Sequence, residues 1–462
     1  MPKSDMSRRK LLERAMGVAA LGSAFKFVDR PANGQPIQAG GVNRNSAPSQ
    51  LKITDMRAIR IASNYDYPII RVDTNQGVYG LGEVRDAGNE GMALILKAHI
   101  VGRNPLEIEP ILDRVRNFTS QRRFGGGYSA LDIALHDIAG KVYGVPAWRL
   151  IGSQYRNRVR VYSDTPQTND PKIFAARLVR RKQAGFTFFK MDIGPGLVRN
   201  IPGALNSRGV ATEKGLKLYC EYIAAVKDGI GWDAPLGADH FGRLDVNDSI
   251  RHCRAFEPYE LAWAEDLLQE GALGTGDAPR NWRAYKEIKE ATITPVNTGE
   301  SLFGLEEGFR PFIENRAVDI IHPDPLTSGA IRETKRIADY ASMFGIPTAI
   351  HFAGSPVGCM AAVHMISTIK DFIVMENHAA DMPWWQDLVT GVDKPIIQKG
   401  YIPVPNTPGI GVELNEEVCK QHLRIPGWFE PTPQYDKYIV DEFRTGGPYP
   451  HLDAEGKPVV SP

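Results

Sequence analysis

From about residue 158 to residue 405 the chain repeats one pattern, a short apolar run followed by a stretch of helical periodicity. Runs with strand character fall at 159–163, 186–192, 236–239, 261–265, 293–299, 318–321, 347–351 and 372–376. Helical stretches such as 171–184, 216–228, 330–344 and 357–369 lie between them. Strands separated by helices do not pair as hairpins; they line up in parallel. Eight such runs over about 250 residues predict a barrel of the (β/α)₈ type, whose chemistry gathers at the carboxyl ends of the strands. Those ends carry Lys190 and Asp192, Asp239 and His240, Glu265 and Asp266, Glu300, Asp324, His351 and Glu376. A fold alone does not need a polar residue at so many of them.

Three of these acids, Asp239, Glu265 and Glu300, close the apolar runs 235–239, 261–265 and 293–300. A carboxylate at the end of a buried strand is costly unless its charge is compensated. Three from successive parallel strands converge on one point. The compensating species expected there is a hard cation that prefers carboxylate oxygen, one Mg²⁺ per active site.

Composition removes other classes. The net charge is +1, and no basic stripe with interleaved aromatics appears, so no nucleic-acid partner is expected. Cys220, Cys253, Cys359 and Cys419 are scattered. That spacing suits neither a zinc site nor a disulfide scaffold, and free, mostly buried thiols are expected. At the N-terminus, Arg8-Arg9 precedes a weakly apolar run at 15–25. This resembles a twin-arginine export signal and points to a periplasmic protein, the alternative being a cytoplasmic one. The run is too short to span a bilayer, and no stable membrane span is expected elsewhere. Residues 30–50 are rich in Pro, Gly, Asn and Ser and read as linker.

The folded part is expected to start near Leu51. Residues 52–61 and 67–73 alternate apolar and polar, and Asn75-Gln76-Gly77 marks a turn before a strand at 78–84. A helical region is expected at about 89–118, a chain break at Gly125-Gly126-Gly127, and an amphipathic helix at 129–143. Four segments result: signal and linker 1–50, an α+β domain 51–155, the barrel 156–405 and a C-terminal segment 406–462. The turn-rich stretch 402–414 should run back toward the first domain, and the Pro-rich remainder should lie on the surface.

Residues 127–152 (GYSALDIALHDIAGKVYGVPAWRLIG) closely resemble the N-terminal signature of the mandelate racemase and muconate lactonising branch of the enolase superfamily. They depart from it at Gly127 and Ala147. The resemblance covers roughly residues 51–415. It implies an α/β fold, a modified TIM barrel (β/α)₇β under an N-terminal α+β capping domain, with a divalent metal, normally Mg²⁺. The family's metal ligands fall on Asp239, Glu265 and Glu300, in agreement with the strand ends. Family members abstract the proton alpha to a carboxylate.

The resemblance also implies roles for single residues. His351 matches the family's histidine base and Asp324 the aspartate that orients it. Glu376 matches the acid that hydrogen-bonds the substrate carboxylate. On the second strand, where much of the branch has two lysines, stand Lys190 and Asp192; period 2 puts both on one face. Lys190 could bind the substrate carboxylate or hold Asp192 ionised. The place that some acid-sugar dehydratases give to a histidine acid holds Phe241. His240 precedes it and is expected in the site, turned inward by a bulge at the strand end. His322 and His378 read as structural or pocket-lining. In the capping loops, Tyr65 and Arg85 are expected to bind a polyhydroxylated acid. Trp384 and Trp385 could wall the pocket or cap the barrel.

The expected function is a hydro-lyase that converts a sugar acid to a 2-keto-3-deoxy acid. The alternatives are a racemase, epimerase or cycloisomerase using Lys190 or Asp192, and a sugar-acid binding protein without catalysis. The expected partner is a small sugar acid, and the chain is expected to form a homo-oligomer.

Overall fold

The computed structural model describes residues 48–63, 65–86, 88–119, 122–240, 244–268, 281–437, 451–452 and 458–459. Arg8, Arg9, most of the linker, Asn64, Phe241 and most of the tail beyond 437 lie outside the described residues. No helix among those described is long and apolar enough to cross a membrane.

The alternating segments near the start form an antiparallel meander of β1 (Ile53–Ile61), β2 (Tyr67–Thr74) and β3 (Tyr79–Glu83). Gly77 supplies the positive φ, 78°, that the β2–β3 turn requires. The meander lies on helix α1 (Gly126–Tyr143). The approach is so close that a Cβ on Gly82 would stand 1.9 Å from the Ala130 carbonyl oxygen.

Two expectations fail in this region. Gly126 and Gly127 do not break the chain but open α1. A Cβ on Gly127 would meet the Met92 carbonyl oxygen at 1.9 Å, so the glycines serve close packing. Nor is α1 amphipathic. It is buried nearly all round because the meander covers one side and the barrel helices the other. The expected helical region at 89–118 consists of short helices, of which Ile108–Val115 is the longest.

The barrel strands are β4 (Arg158–Ser163), β5 (Phe189–Asp192), β6 (Leu236–Asp239), β7 (Trp263–Glu265), β8 (Val296–Thr298), β9 (Ile320–Ile321), β10 (Thr348–Ile350) and β11 (Phe372–Asn377). Among the described residues the strands are linked by α2 (Pro171–Gln183), α3 (Glu213–Ile230), α4 (Val246–Phe256), α5 (Trp282–Glu290), α6 (Arg310–Glu314), α7 (Ala330–Met343), which a short helix Pro325–Ser328 precedes, and α8 (Pro356–Ser367). Many start where the sequence signals a cap. Asp170, Thr212, Asp245 and Ser355 each accept a backbone N–H of the first turn of α2, α3, α4 and α8.

The eight strands run parallel in the order β4-β11-β10-β9-β8-β7-β6-β5. After β12 (Val389–Thr390), strand β13 (Tyr401–Pro403) adds antiparallel to β4. The seam between β4 and β5 is closed by side chains. Arg160 donates to the Thr187 hydroxyl at 2.8 Å and to its carbonyl at 2.6 Å. This is the (β/α)₇β barrel with an N-terminal cap. Inside it, Phe188 stacks on Trp263 at 4.7 Å, and Tyr162, Ile320, Ala349 and Val374 complete an apolar plug. The chain then returns to the cap. The Ile410 N–H donates to Asp137 of α1 at 3.0 Å, and Glu413 pairs with Lys141. Three of the four cysteines are buried and all are free.

Candidate active site

Register brings the acids together. Asp192, Asp239 and Glu265 are consecutive cross-strand partners on β5, β6 and β7. Glu300 follows the end of β8, Asp324 follows β9, His351 follows β10, and Glu376 lies near the end of β11. All open above the apolar plug, whose Trp263 indole N–H donates to Glu265 Oε2 at 2.7 Å.

Lys190 stands at the centre. Its Nζ lies 3.2 Å from Asp239 Oδ2, 3.0 Å from Glu265 Oε1 and 2.7 Å from Glu376 Oε1. Burial opposes its charge, but the carboxylates outweigh burial and hold its pKa well above the ordinary value. One lysine does not neutralise the group. Burial, with the charges of Glu265, Asp192 and Glu300, pushes the Asp239 carboxyl well above the usual range despite Lys190. Asp192 is raised to about 7 by burial and by Asp164, and it accepts from Gln167 at 2.8 Å rather than pairing with Lys190.

On the other side, His351 lies between acids. Its Nδ1 is 2.6 Å from Asp324 Oδ2, and its Nε2 is 3.0 Å from Glu300 Oε2 and 3.7 Å from Glu376 Oε2. Burial disfavours the imidazolium, but Glu300 and Glu376 override it and raise its pKa well above the ordinary value. Asp324 is itself fixed, since its other oxygen accepts the Leu326 N–H at 2.6 Å as the cap of the short helix Pro325–Ser328.

Two expectations are corrected here. Arg85 is not available to a substrate. Its guanidinium is buried and donates to Asp86 at 2.6 Å, to the Glu300 carbonyl at 2.7 Å, to Thr327 at 2.9 Å and to Glu300 Oε1 at 3.3 Å. It clamps the cap to the ends of β8 and β9. His240 does not turn inward. It sits between the barrel wall and α4, stacked on Phe256 at 5.7 Å and edge-on to His252 at 6.0 Å. Burial lowers its pKa to about 3. Strand alternation prevails because β6 runs without a bulge to Asp239.

The remaining candidates are at or near the rim. Tyr65 is exposed, with its ring edge-on to His378 at 5.6 Å. His378 joins the cluster, Nε2 at 3.2 Å from Glu376 Oε1 and Nδ1 at 3.5 Å from Asp164 Oδ2. His322 is buried beneath, Nδ1 at 3.2 Å from Glu265 Oε1. Trp385 is buried and donates to the Gly354 carbonyl at 3.0 Å, while Trp384 stacks on His422 at 3.9 Å. The strand-end reading leaves out Asp164 and Gln167. Asp164 directly follows β4, and that position was the available signal.

The donor set suits a divalent cation. Asp239, Glu265 and Glu300 offer only oxygen and come from neighbouring strands; the Asp239 carboxyl is left short of positive charge, whereas, against burial, His322 and Lys190 hold Glu265 at about 2 and His351 and Arg85 hold Glu300 well below the usual range. Among the described residues, two groups of three potential ligand atoms lie within 4.8 Å of one another, His351, Glu376 and His378, and Glu265, His322 and Glu376; Asp239, Glu265 and Glu300 do not form such a group as a trio.

The molecule is a parallel barrel with a buried acid cluster at its carboxyl-terminal mouth, roofed by an α+β cap. The sequence matches the mandelate racemase / muconate lactonizing enzyme N-terminal domain over residues 41–152 and the enolase C-terminal domain-like family over residues 174–418. The chain belongs to the mandelate racemase/muconate lactonizing enzyme branch of the enolase superfamily, whose members use a divalent metal. It is 32% identical to the D-xylonate dehydratase of Haloferax volcanii, across 80% of this chain and 89% of that one. It is 27% identical to the D-mannonate dehydratase of Novosphingobium aromaticivorans, across 82% and 96%. A mandelate racemase/muconate lactonizing enzyme-like protein from Rubrobacter xylanophilus superposes with a TM-score of 0.75 at 30% identity, covering 82% of this chain and 99% of that one.

Proposed function

We propose that this protein is a Mg²⁺-dependent acid-sugar dehydratase that removes the C2 proton and the C3 hydroxyl of an aldonic acid to give a 2-keto-3-deoxy acid. The observation that carries the reading is the Asp324–His351 pair at 2.6 Å, with Nε2 directed at the acid cluster. Similarity to relatives named as acid-sugar dehydratases supports it.

Asp239, Glu265 and Glu300 are the residues that would hold Mg²⁺. When bound, the ion supplies positive charge against the negative charge that develops on the substrate carboxylate. The chain's own residues do the rest. Asp324 accepts from His351 Nδ1 and fixes the tautomer; with the Glu300 charge taken up by the cation instead of by the imidazolium, Nε2 would be free of its proton and able to take the one at C2. Lys190 supports the carboxylate end with a fixed charge. With His240 outside the site, the proton on His351 Nε2 is the one returned to the departing C3 hydroxyl. Water leaves, and the enol product gains a proton at C3 while its C2 hydroxyl loses one, giving the ketone. Lys190 is engaged by three carboxylates and has no free lone pair, which disfavours it as the second base of a racemase.

The test is a panel of C5 and C6 aldonates incubated with enzyme and Mg²⁺ in deuterated water. Appearance of 2-keto product supports the reading. Exchange at C2 or an inverted product without loss of water overturns it in favour of an isomerase. Binding with neither exchange nor product favours the binding-protein alternative.

A further inference from the structure

The two histidines at the ends of β10 and β11 form a group that the proposed reaction does not use as a whole. One ligand atom each from His351, Glu376 and His378 lie within 4.8 Å of one another. The Nε2 atoms of both histidines face the Glu376 carboxylate, at 3.7 and 3.2 Å. Their other nitrogens are each backed by a carboxylate, Asp324 behind His351 at 2.6 Å and Asp164 behind His378 at 3.5 Å. A carboxylate behind the imidazole is the arrangement that orients histidines as metal ligands. Glu376 is fully buried, and its Oε2 has no hydrogen-bond partner. Lys190 lies at 2.7 Å on the other oxygen, Oε1.

We propose that His351, Glu376 and His378 form a second cation site, selective for a nitrogen-seeking divalent ion such as Zn²⁺, and that filling it silences the enzyme by occupying His351. Two imidazoles and one carboxylate suit Zn²⁺ and are poor ligands for Mg²⁺, which the all-oxygen trio suits. The three protein ligands leave a fourth position open. Binding displaces any proton on the two Nε2 atoms and replaces the 3.0 Å contact of His351 Nε2 with Glu300 Oε2, while Asp239 and Glu265 are not among the ligands of the site. The binding stands on geometry alone; its inhibitory effect rests on the dehydratase reading.

The experiment uses the full chain, stripped of metal with a chelator and returned to excess Mg²⁺. Zn²⁺ is titrated by calorimetry, and Co²⁺ is titrated by its visible absorption. One Zn²⁺ per chain should bind despite the Mg²⁺. His378→Ala should weaken that binding by more than about 100-fold, and Asp164→Asn, which removes the backing carboxylate, by about 10–100-fold. Asp239→Asn should change it by no more than a few-fold. No binding above the Mg²⁺ background overturns the proposal, and so does binding that survives His378→Ala but is lost in Asp239→Asn. Should His378→Ala fail to fold, X-ray absorption on the Zn²⁺-loaded wild type decides, because a shell of oxygen alone excludes the site. Wild type that binds Zn²⁺ through these residues yet converts no aldonate keeps the site and removes the dehydratase reading. Turnover of an aldonate that continues with Zn²⁺ bound removes the inhibition.

Discussion

His351 and His240 both follow the last residue or two of a barrel strand, and both are buried, yet the protein gives them opposite character. His351 faces the inside of the mouth, with Asp324, Glu300 and Glu376 around it, and its pKa is driven up. His240 faces the layer between the wall and α4, where it meets Phe256 and His252, and burial drives its pKa down to about 3. The inner region of the barrel spends stability to hold charge; the outer region excludes it. The same side chain is paired with carboxylates in one and packing in the other. The side of the strand decides, not the residue type.

The largest expected effects are inside. Glu265→Gln and Glu300→Gln should each weaken Mg²⁺ binding and abolish turnover, because a neutral amide cannot offset the cation. Metal analysis and product formation would both fall, and full activity in metal-free buffer would remove this site from the mechanism. His351→Asn keeps a hydrogen bond toward Asp324 but removes the proton acceptor. Loss of a general base costs about 10²–10⁴-fold in rate, so turnover and C2 exchange should disappear together. Wild-type exchange in this variant would move the base elsewhere, with Asp192 as the next suspect.

Smaller losses are expected from groups that position the first. Asp324→Asn keeps the imidazole but loses the carboxylate that sets its tautomer, so kcat should drop by less than in His351→Asn. Arg85→Lys keeps the charge but loses the planar fork that joins Asp86, Glu300 and Thr327. A displacement of about 1 Å at a catalytic group can cost about 10²-fold, and kcat should fall by up to that amount. An unchanged kcat with a raised KM would instead return Arg85 to substrate binding.

How much of this was legible follows from what each feature depends on. The ends of the strands could be placed because apolar runs stop where water or a site begins, and so Asp239, Glu265, Glu300, Asp324, His351 and Glu376 stood out as a set. Which side a residue faces was harder to read. Several ladders are only two to four residues long, β9 being Ile320–Ile321, and one bulge would reverse the assignment. His240 was misplaced for that reason. Arg85 was misread because its partners come from residues more than two hundred positions away, and local sequence holds no trace of them. The glycines at the start of α1 looked like a break because propensity favours that. The close approach of the Met92 backbone overrides propensity.

The subtlest prediction concerns the outer histidine. His240 is held neutral in the fold, with a pKa lowered from 6.5 to about 3. Below pH 6.5 the unfolded chain binds a proton at this site that the folded chain refuses. Stability is therefore complete above that pH and declines as pH falls toward 3. His364, lowered to about 4 by burial, acts in the same direction. His240→Leu removes one titrating group and fills an apolar niche where the His240 Nε2 has no hydrogen-bond partner. At pH 8 the variant should lie within about 1 kcal/mol of wild type, since the lost side-chain contact to the Glu265 carbonyl is long, 3.3 Å. At pH 5 it should be the more stable of the two by roughly 1–2 kcal/mol, as each unit of pH below the unfolded pKa costs wild type about 1.4 kcal/mol. Urea midpoints at the two pH values measure this directly. Equal differences at both would mean that His240 takes up its proton in the folded state, and that the outer layer excludes charge less strictly than its packing implies.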